Sequence, residues 1–258
     1  MSAIISKAKT FFWFLLRPKY YSQFYTLAIQ RISGNTKENT RESSKKWCKE
    51  LAVPTEEFVH KITSSNYDKL DVIYPDIFKK AQNIVEALPV KMGGAGDIEL
   101  LYFLSEHVKA TKVIETGVAH GWSSLALLLS LSKRENTQLI STDMPYPKMN
   151  NEDYVGCVVP KDLKEPWKLI RQADKNALPK ALASFEVIDL CHYDSDKTYQ
   201  GRMWAYPLLW DKLRTEGIFI SDDIGDNIAF RDFCENIGKT PFVVNTASQY
   251  VGVLIKDD

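Results

Sequence analysis

The chain has 258 residues, with 33 basic and 33 acidic side chains that cancel and no long run of one sign. That length suits one α/β domain with an appendage, and the balanced charge gives no sign of a nucleic-acid groove, so a small, discrete partner fits better. Cys48, Cys157, Cys191 and Cys234 lie far apart with no C-x-x-C pair, which excludes the usual zinc and disulfide frameworks and points to a reducing, cytoplasmic setting.

Ile4, Ile5, Ala8, Phe11, Phe12, Leu15 and Leu16 recur at helical spacing among Lys7, Lys9, Arg17 and Lys19, the pattern of an amphipathic interfacial helix. Pro18 stops this apolar run well short of the ~20 residues that span a bilayer. Where a signal peptide would show a small-residue cleavage site, the sequence reads Arg-Pro-Lys-Tyr-Tyr. Two placements follow for residues 1–34: a peripheral contact with the inner face of a membrane, or packing on the chain's own domain or on a second copy in a homo-oligomer. Residues 34–49, GNTKENTRESSKKWCK, are polar and rich in turn formers and read as a linker or a solvated helix start. The expected organisation is an N-terminal helical extension and linker over 1–49 and a single domain over 50–258.

Glu56 to Leu88 is helical in pattern, with a break near Tyr74-Pro75. Lys91 to Asp97, KMGGAGD, reads as a loop leading into a helix from Ile98 to Val108. Short apolar runs then alternate with helical segments: Val113 to Thr116, Leu139 to Thr142, Phe185 to Leu190 and Gly217 to Ser221. Such runs are parallel strands joined by crossovers. Phe242 to Asn245 and Tyr250 to Ile255 are two further strands around a Thr-Ala-Ser-Gln connection, a hairpin at one edge. The expected fold is α/β: a Rossmann-like, doubly wound, mostly parallel seven-stranded sheet with an antiparallel edge hairpin and the N-terminal helical extension.

The segment VIETGVAHGWSS, residues 113–124, is a strand, a glycine-containing turn and a helix start. Gly117 and Gly121 permit a tight turn and close approach of backbone to a ligand, while Ser123 or Ser124 can cap the helix. A second strand, Leu139 to Thr142, ends in Asp143, whose carboxylate can accept hydrogen bonds from ribose hydroxyls. The middle glycine of G-x-G-x-x-G is missing, which counts against a pyrophosphate-bearing dinucleotide. Glu115 would set a negative charge beside the ligand, which suits a cationic sulfonium.

Two acidic groups stand at consecutive strand ends: Asp194-Ser195-Asp196-Lys197 and Asp222-Asp223. In open α/β sheets the ligand crevice lies beyond the carboxyl ends of the strands, so these side chains should meet the glycine turn there. Gathered carboxylates call for a cation, and hard oxygen donors suit Mg²⁺ or Ca²⁺. The plainer alternative is that Asp and Ser cap turns and helices after strands. His120 reads as a loop residue, His60 and His107 as structural helix residues, and His192 as a packed strand end. Trp204, Tyr206 and Trp210 read as core.

VIETGVAHGWSS followed by Asp143 resembles the first two motifs of class I S-adenosylmethionine-dependent methyltransferases. The downstream text YVGCVVPKDL, LPKAL, IDL, YDSDKTY and LRTEGIFISDDIGDNIAFRDF is similar to the branch that O-methylates glycans and natural products. The likeness runs from about Gly93 to the C-terminus. It implies S-adenosylmethionine carried by Glu115, Gly117, Gly121, Ser123 and Asp143, with Asp174 near the adenine. It also implies Mg²⁺ on Asp194, Asp222 and Asp223, and an acceptor hydroxyl on a sugar of a glycan or glycosylated metabolite. For the base, Asp196 matches the second acid of the D-G-D motif in sugar O-methyltransferases, and Lys197 matches the lysine of catechol-type enzymes; Asp196 is taken first. The branch tends to read H-D-S-D-H-T-Y, whereas this chain has Tyr193 and Lys197 in place of the two histidines. An NAD(P)-dependent oxidoreductase and a non-catalytic binding protein on the same fold are the competing readings.

Overall fold

The structure, a computed structural model, describes residues 11–21, 24–25, 40–64, 67–144, 151–246 and 249–257. Eight strands, β1 (Ala52–Pro54), β2 (Lys112–Thr116), β3 (Gln138–Thr142), β4 (Trp167–Ile170), β5 (Ile188–Tyr193), β6 (Leu213–Ser221), β7 (Phe242–Asn245) and β8 (Tyr250–Ile255), form one sheet. Their order is β1-β7-β8-β6-β5-β2-β3-β4. Only β8 runs antiparallel, against both β6 and β7. The expected hairpin is therefore present but not outermost, because β1 pairs in parallel with β7 and takes the edge. A three-residue strand such as Ala-Val-Pro carries no period long enough to announce itself in sequence.

The strands alternate their side chains between two cores, as a period of two requires. Val113, Leu139, Leu190, Ile218, Ile220 and Val253 face one side. Ile114, Ile140, Cys191, Phe219 and Leu254 face the other. The first face is covered by α2 (Thr55–Thr63), α4 (Pro75–Glu86), α5 (Ile98–His107) and α6 (Trp122–Leu131); α3 (Leu70–Ile73) contributes Leu70. The second face is covered by α7 (Asp174–Leu182), α8 (Tyr199–Lys212) and α9 (Ala229–Asn236). Each fully enclosed aliphatic side chain in these layers contributes about 1.5–3 kcal/mol relative to exposure. Pro75 opens α4 at its first position, where the missing N–H costs nothing, and accounts for the break expected at Tyr74-Pro75.

Residues 41–49, expected as a linker or a solvated helix start, belong to α1 (Arg41–Leu51), which is docked rather than solvated and crosses the expected boundary at 49–50. Ser44 and Cys48, one turn apart, bury themselves against the second core. The Ser44 hydroxyl hydrogen-bonds to the carbonyls of Ile224 and Asn227 at 2.8 and 3.0 Å. Polar composition hid this, since a single buried stripe of small residues is enough to dock a helix.

Of the N-terminal expectation, Ile4, Ile5, Ala8 and residues 34–39 lie outside the described residues. Residues 11–15 are helical. Trp13, Phe14 and Tyr20 pack together against Met144, and the Tyr20 hydroxyl donates to the Arg171 carbonyl at 3.4 Å. Phe12 and Leu16 remain 59% and 75% exposed on the other side. Among the described residues no helix is long and apolar enough to cross a membrane.

Candidate active site

At the end of β2 the chain turns through Gly117, whose φ is +82°. A Cβ there would lie 2.1 Å from the Asp194 carbonyl oxygen, so no other residue fits. Gly121, at φ +96°, is similarly pressed against Gly156, with a built Cβ 2.8 Å from its Cα. Asp143 holds the turn: its Oδ1 accepts from the amides of Val118 at 3.0 Å and Ala119 at 3.4 Å. Its other oxygen lies 3.7 Å from Arg171 Nε and has no hydrogen-bond partner among the described residues. Burial raises the Asp143 pKa against the pull of these donors.

The expected serine cap is not formed. Gly121 is the N-cap of α6, without a side-chain bond. Ser124 turns inward and donates to Glu115 Oε2 at 2.6 Å, as does Ser141 from β3. Ser123 stays at the cleft surface.

A cleft of about 480 Å³ opens beyond the carboxyl ends of β2, β5 and β6. One wall is the turn at Gly117 and Ser123; another is the loop Gly93 to Asp97; the third carries His192, Asp194, Lys197, Asp222 and Asp223. His120 ties the first two walls together, since its Nε2 accepts from the Met92 amide at 3.1 Å. Burial lowers the His120 pKa, in keeping with a neutral acceptor.

Residues 114–224 match a family described as a methyltransferase domain. An O-methyltransferase from Bacillus cereus in complex with S-adenosylhomocysteine superposes with a TM-score of 0.54 at 12% identity, covering 81% of this chain and 100% of that one. The O-methyltransferase TomG from Streptomyces achromogenes, in complex with S-adenosylmethionine and involved in tomaymycin synthesis, gives 0.52 at 16% identity, with coverages of 74% and 97%. The S-adenosylhomocysteine-bound methyltransferase PaMTH1 from Podospora anserina gives 0.51 at 15%, with 78% and 93%. At these identities the likeness establishes the fold. No curated protein matches the chain.

The expected site residues divide into those the fold brings to the cleft and those it does not. Gly117, Ser123, Asp194, Lys197, Asp222 and Asp223 line it. Glu115 does not: it is fully enclosed behind the turn, where it anchors Ser124 and Ser141. Gly121 and Asp143 shape the turn from behind, although the unpartnered Asp143 oxygen is an acceptor of the kind a ribose diol needs. Asp174, at the start of α7, accepts from Ser195 Oγ at 2.5 Å and is pushed up to about 6, first by burial. It borders the turn rather than the cleft.

Asp196, taken first as the base, is displaced from that role by local geometry. Its Oδ1 accepts from the Thr198 amide at 3.0 Å, and its carboxylate packs over Gly201, where a Cβ would lie 2.3 Å from Cγ. The residue is committed to the first turn of α8. Lys197, one position on, points into the cleft, 3.2 Å from Asp194 Oδ1 and in direct contact with Asp223. Burial opposes its charge, but the two carboxylates outweigh burial and hold its pKa above the ordinary lysine value, so the side chain is a cation and not a ready base. Asp194 itself is pushed up to about 6 by burial and then by the neighbouring Asp222.

The carboxylates expected to bind magnesium offer suitable hard oxygens, but Lys197 fills the gap between Asp194 and Asp223. Among the described residues no group of three His, Cys, Asp or Glu side chains is gathered so as to hold an ion. This arrangement does not fit a divalent cation. His192, expected as a strand-end packing residue, is the member the sequence reading missed. It is almost wholly enclosed, yet borders the cleft with Nε2 3.6 Å from Asp222 Oδ1 and Nδ1 3.9 Å from Glu115 Oε1. The signal lay in the strand register, which sets His192 directly beside Glu115 on neighbouring strands.

Proposed function

We propose that this methyltransferase takes its methyl group from S-adenosylmethionine and delivers it to a hydroxyl oxygen of a sugar in a glycan or glycosylated metabolite. The observation that carries the reading is that the glycine turn and the Asp194, Lys197, Asp222 and Asp223 group line one cleft. When bound, the donor supplies an electrophilic methyl on a sulfonium. The turn at Gly117, the Ser123 surface and the Asp143 oxygen that lacks a hydrogen bond would hold its adenosine and amino-acid parts, and the carboxylates across the cleft favour its positive charge. The acceptor oxygen attacks the methyl carbon in line as the carbon–sulfur bond breaks to a neutral thioether. Lys197 donates a hydrogen bond to the attacking oxygen and stabilises the negative charge that develops there. The hydroxyl proton passes to a carboxylate lining the cleft and then to water.

Magnesium, implied by the resemblance, would have to displace Lys197 from Asp194 and Asp223, and no step is routed through it. The test is transfer of labelled methyl from S-adenosylmethionine to a panel of hydroxylated sugars, with chelator and with added Mg²⁺. Label on sugar oxygen in chelator supports the reading, and transfer found only with Mg²⁺ restores the cation. Absence of transfer to any hydroxyl removes the O-methyl assignment.

A second reading concerns location. The exposed face of Phe11, Phe12, Leu15 and Leu16, beside Arg17, has the composition of a segment seated at a lipid headgroup surface. On this reading the N-terminal segment brings the enzyme to lipid-linked acceptors.

A further inference from the structure

The cleft does not end at Asp223. Asp223, Thr246 and Gln249 also belong to a second, polar groove of about 320 Å³ that runs on from it. The far side of this groove is built by α1, the helix whose polar sequence reads as a linker or a solvated helix start. Arg41 and Lys45 stand one turn apart on that helix and face the groove, opposite Asn245, Gln249 and Tyr250 at the β7–β8 end of the sheet. Gly225 forms the floor. A Cβ at this position would come 3.3 Å from the Tyr250 ring and 3.5 Å from the Lys45 stem, so glycine keeps the groove open between them.

The charges in the groove do not balance pairwise. Asp223 is engaged by Lys197, and Asp226 lies 3.4 Å from Arg41. Lys45 forms no ion pair among the described residues, and its exposed ammonium is left facing the groove. An aromatic ring edge, side-chain amides and hydroxyls suit the mixed apolar and polar faces of a pyranose. An unpaired ammonium suits an anionic substituent on it.

We propose that this groove is the acceptor subsite and that the acceptor is an acidic sugar, carrying a carboxylate or phosphate that meets Lys45 while its reacting hydroxyl reaches Lys197 in the cleft. This deepens the functional reading above and rests on it. It gives α1 a role in recognition, and it limits the acceptors to those that carry an anion.

The test is ligand-observed saturation-transfer NMR on the full-length protein with methyl glucuronide, glucose 6-phosphate and the neutral methyl glucoside, in wild type, Lys45→Ala and Gly225→Val. Binding of S-adenosylmethionine is measured alongside in each. At least one anionic probe should bind more tightly than the glucoside, lose about tenfold in Lys45→Ala, and be excluded by Gly225→Val, with donor binding unchanged. The carboxylate and phosphate arms identify which anion is preferred. Equal binding of anionic and neutral probes, no binding of any probe, or indifference to Lys45→Ala overturns the subsite. Loss of donor binding already in wild type would instead overturn the methyl-transfer reading.

Discussion

Raising the pH should destabilise this protein through one buried imidazole. His192 sits between Asp222 and Glu115 at 3.6 and 3.9 Å. Burial opposes its charge, but the two carboxylates outweigh burial and raise its pKa from 6.5 to about 10. The folded protein therefore keeps a proton that the unfolded chain releases above 6.5. The resulting stability is fully present below that pH and is lost as the pH climbs through about 10. The slope cannot exceed ~1.4 kcal/mol per pH unit for one proton and is half that at the unfolded pKa, so moving from about pH 6.5 to about pH 8.5 should remove about 2 kcal/mol. His192→Gln lacks the titrating group but keeps similar volume and a hydrogen-bond donor. Urea unfolding of wild type and variant across this range isolates the contribution, because other titrations cancel in the difference. Wild type should be the more stable at pH 6, with the gap closing as the pH rises. A gap independent of pH would refute the ion-pair description and leave His192 as a neutral packing residue.

Gly121→Ala should destabilise the fold by roughly 2 kcal/mol or more, since it combines a left-handed backbone with a 2.8 Å approach to Gly156 Cα; denaturant unfolding measures this directly. Lys197→Met should lower kcat roughly 10²–10³-fold while leaving the KM for S-adenosylmethionine within a few-fold, because it removes charge stabilisation of the attacking oxygen rather than donor contacts. A parallel loss in both constants would assign Lys197 to donor binding instead. Phe12→Ser with Leu16→Ser should reduce flotation with anionic phospholipid vesicles without changing the unfolding midpoint, as both side chains are exposed. Unchanged flotation would remove the lipid-surface reading.

The alternating apolar runs made the sheet legible, because a strand buried on both faces must be continuously apolar and a crossover must be a helix. Gly117 and the acids after β5 and β6 were legible for the same reason: chemistry in this architecture gathers at strand ends. What sequence could not give was direction. Asp196 and Lys197 are adjacent, and only the cap of α8, with Gly201 beneath it, decides that the carboxylate turns away and the ammonium turns in. Ser123 and Ser124 were interchangeable as caps until Glu115 claimed one of them from the interior. His192 looked like packing because burial is its ordinary state, and its partners come from β2 and from the residue just after β6, 77 residues before it and 30 after. α1 was hidden by its polar surface, although its Ser44 and Cys48 spacing held the docking stripe.

The measurement that tests the central claim most directly is calorimetric titration of the purified protein with S-adenosylmethionine and, separately, with NADH, in chelator, for wild type and Asp143→Asn. The account predicts one-to-one binding of S-adenosylmethionine, about tenfold or more weaker in Asp143→Asn through loss of a charged hydrogen-bond acceptor, and no binding of NADH. Absence of S-adenosylmethionine binding, or a preference for NADH, would contradict it.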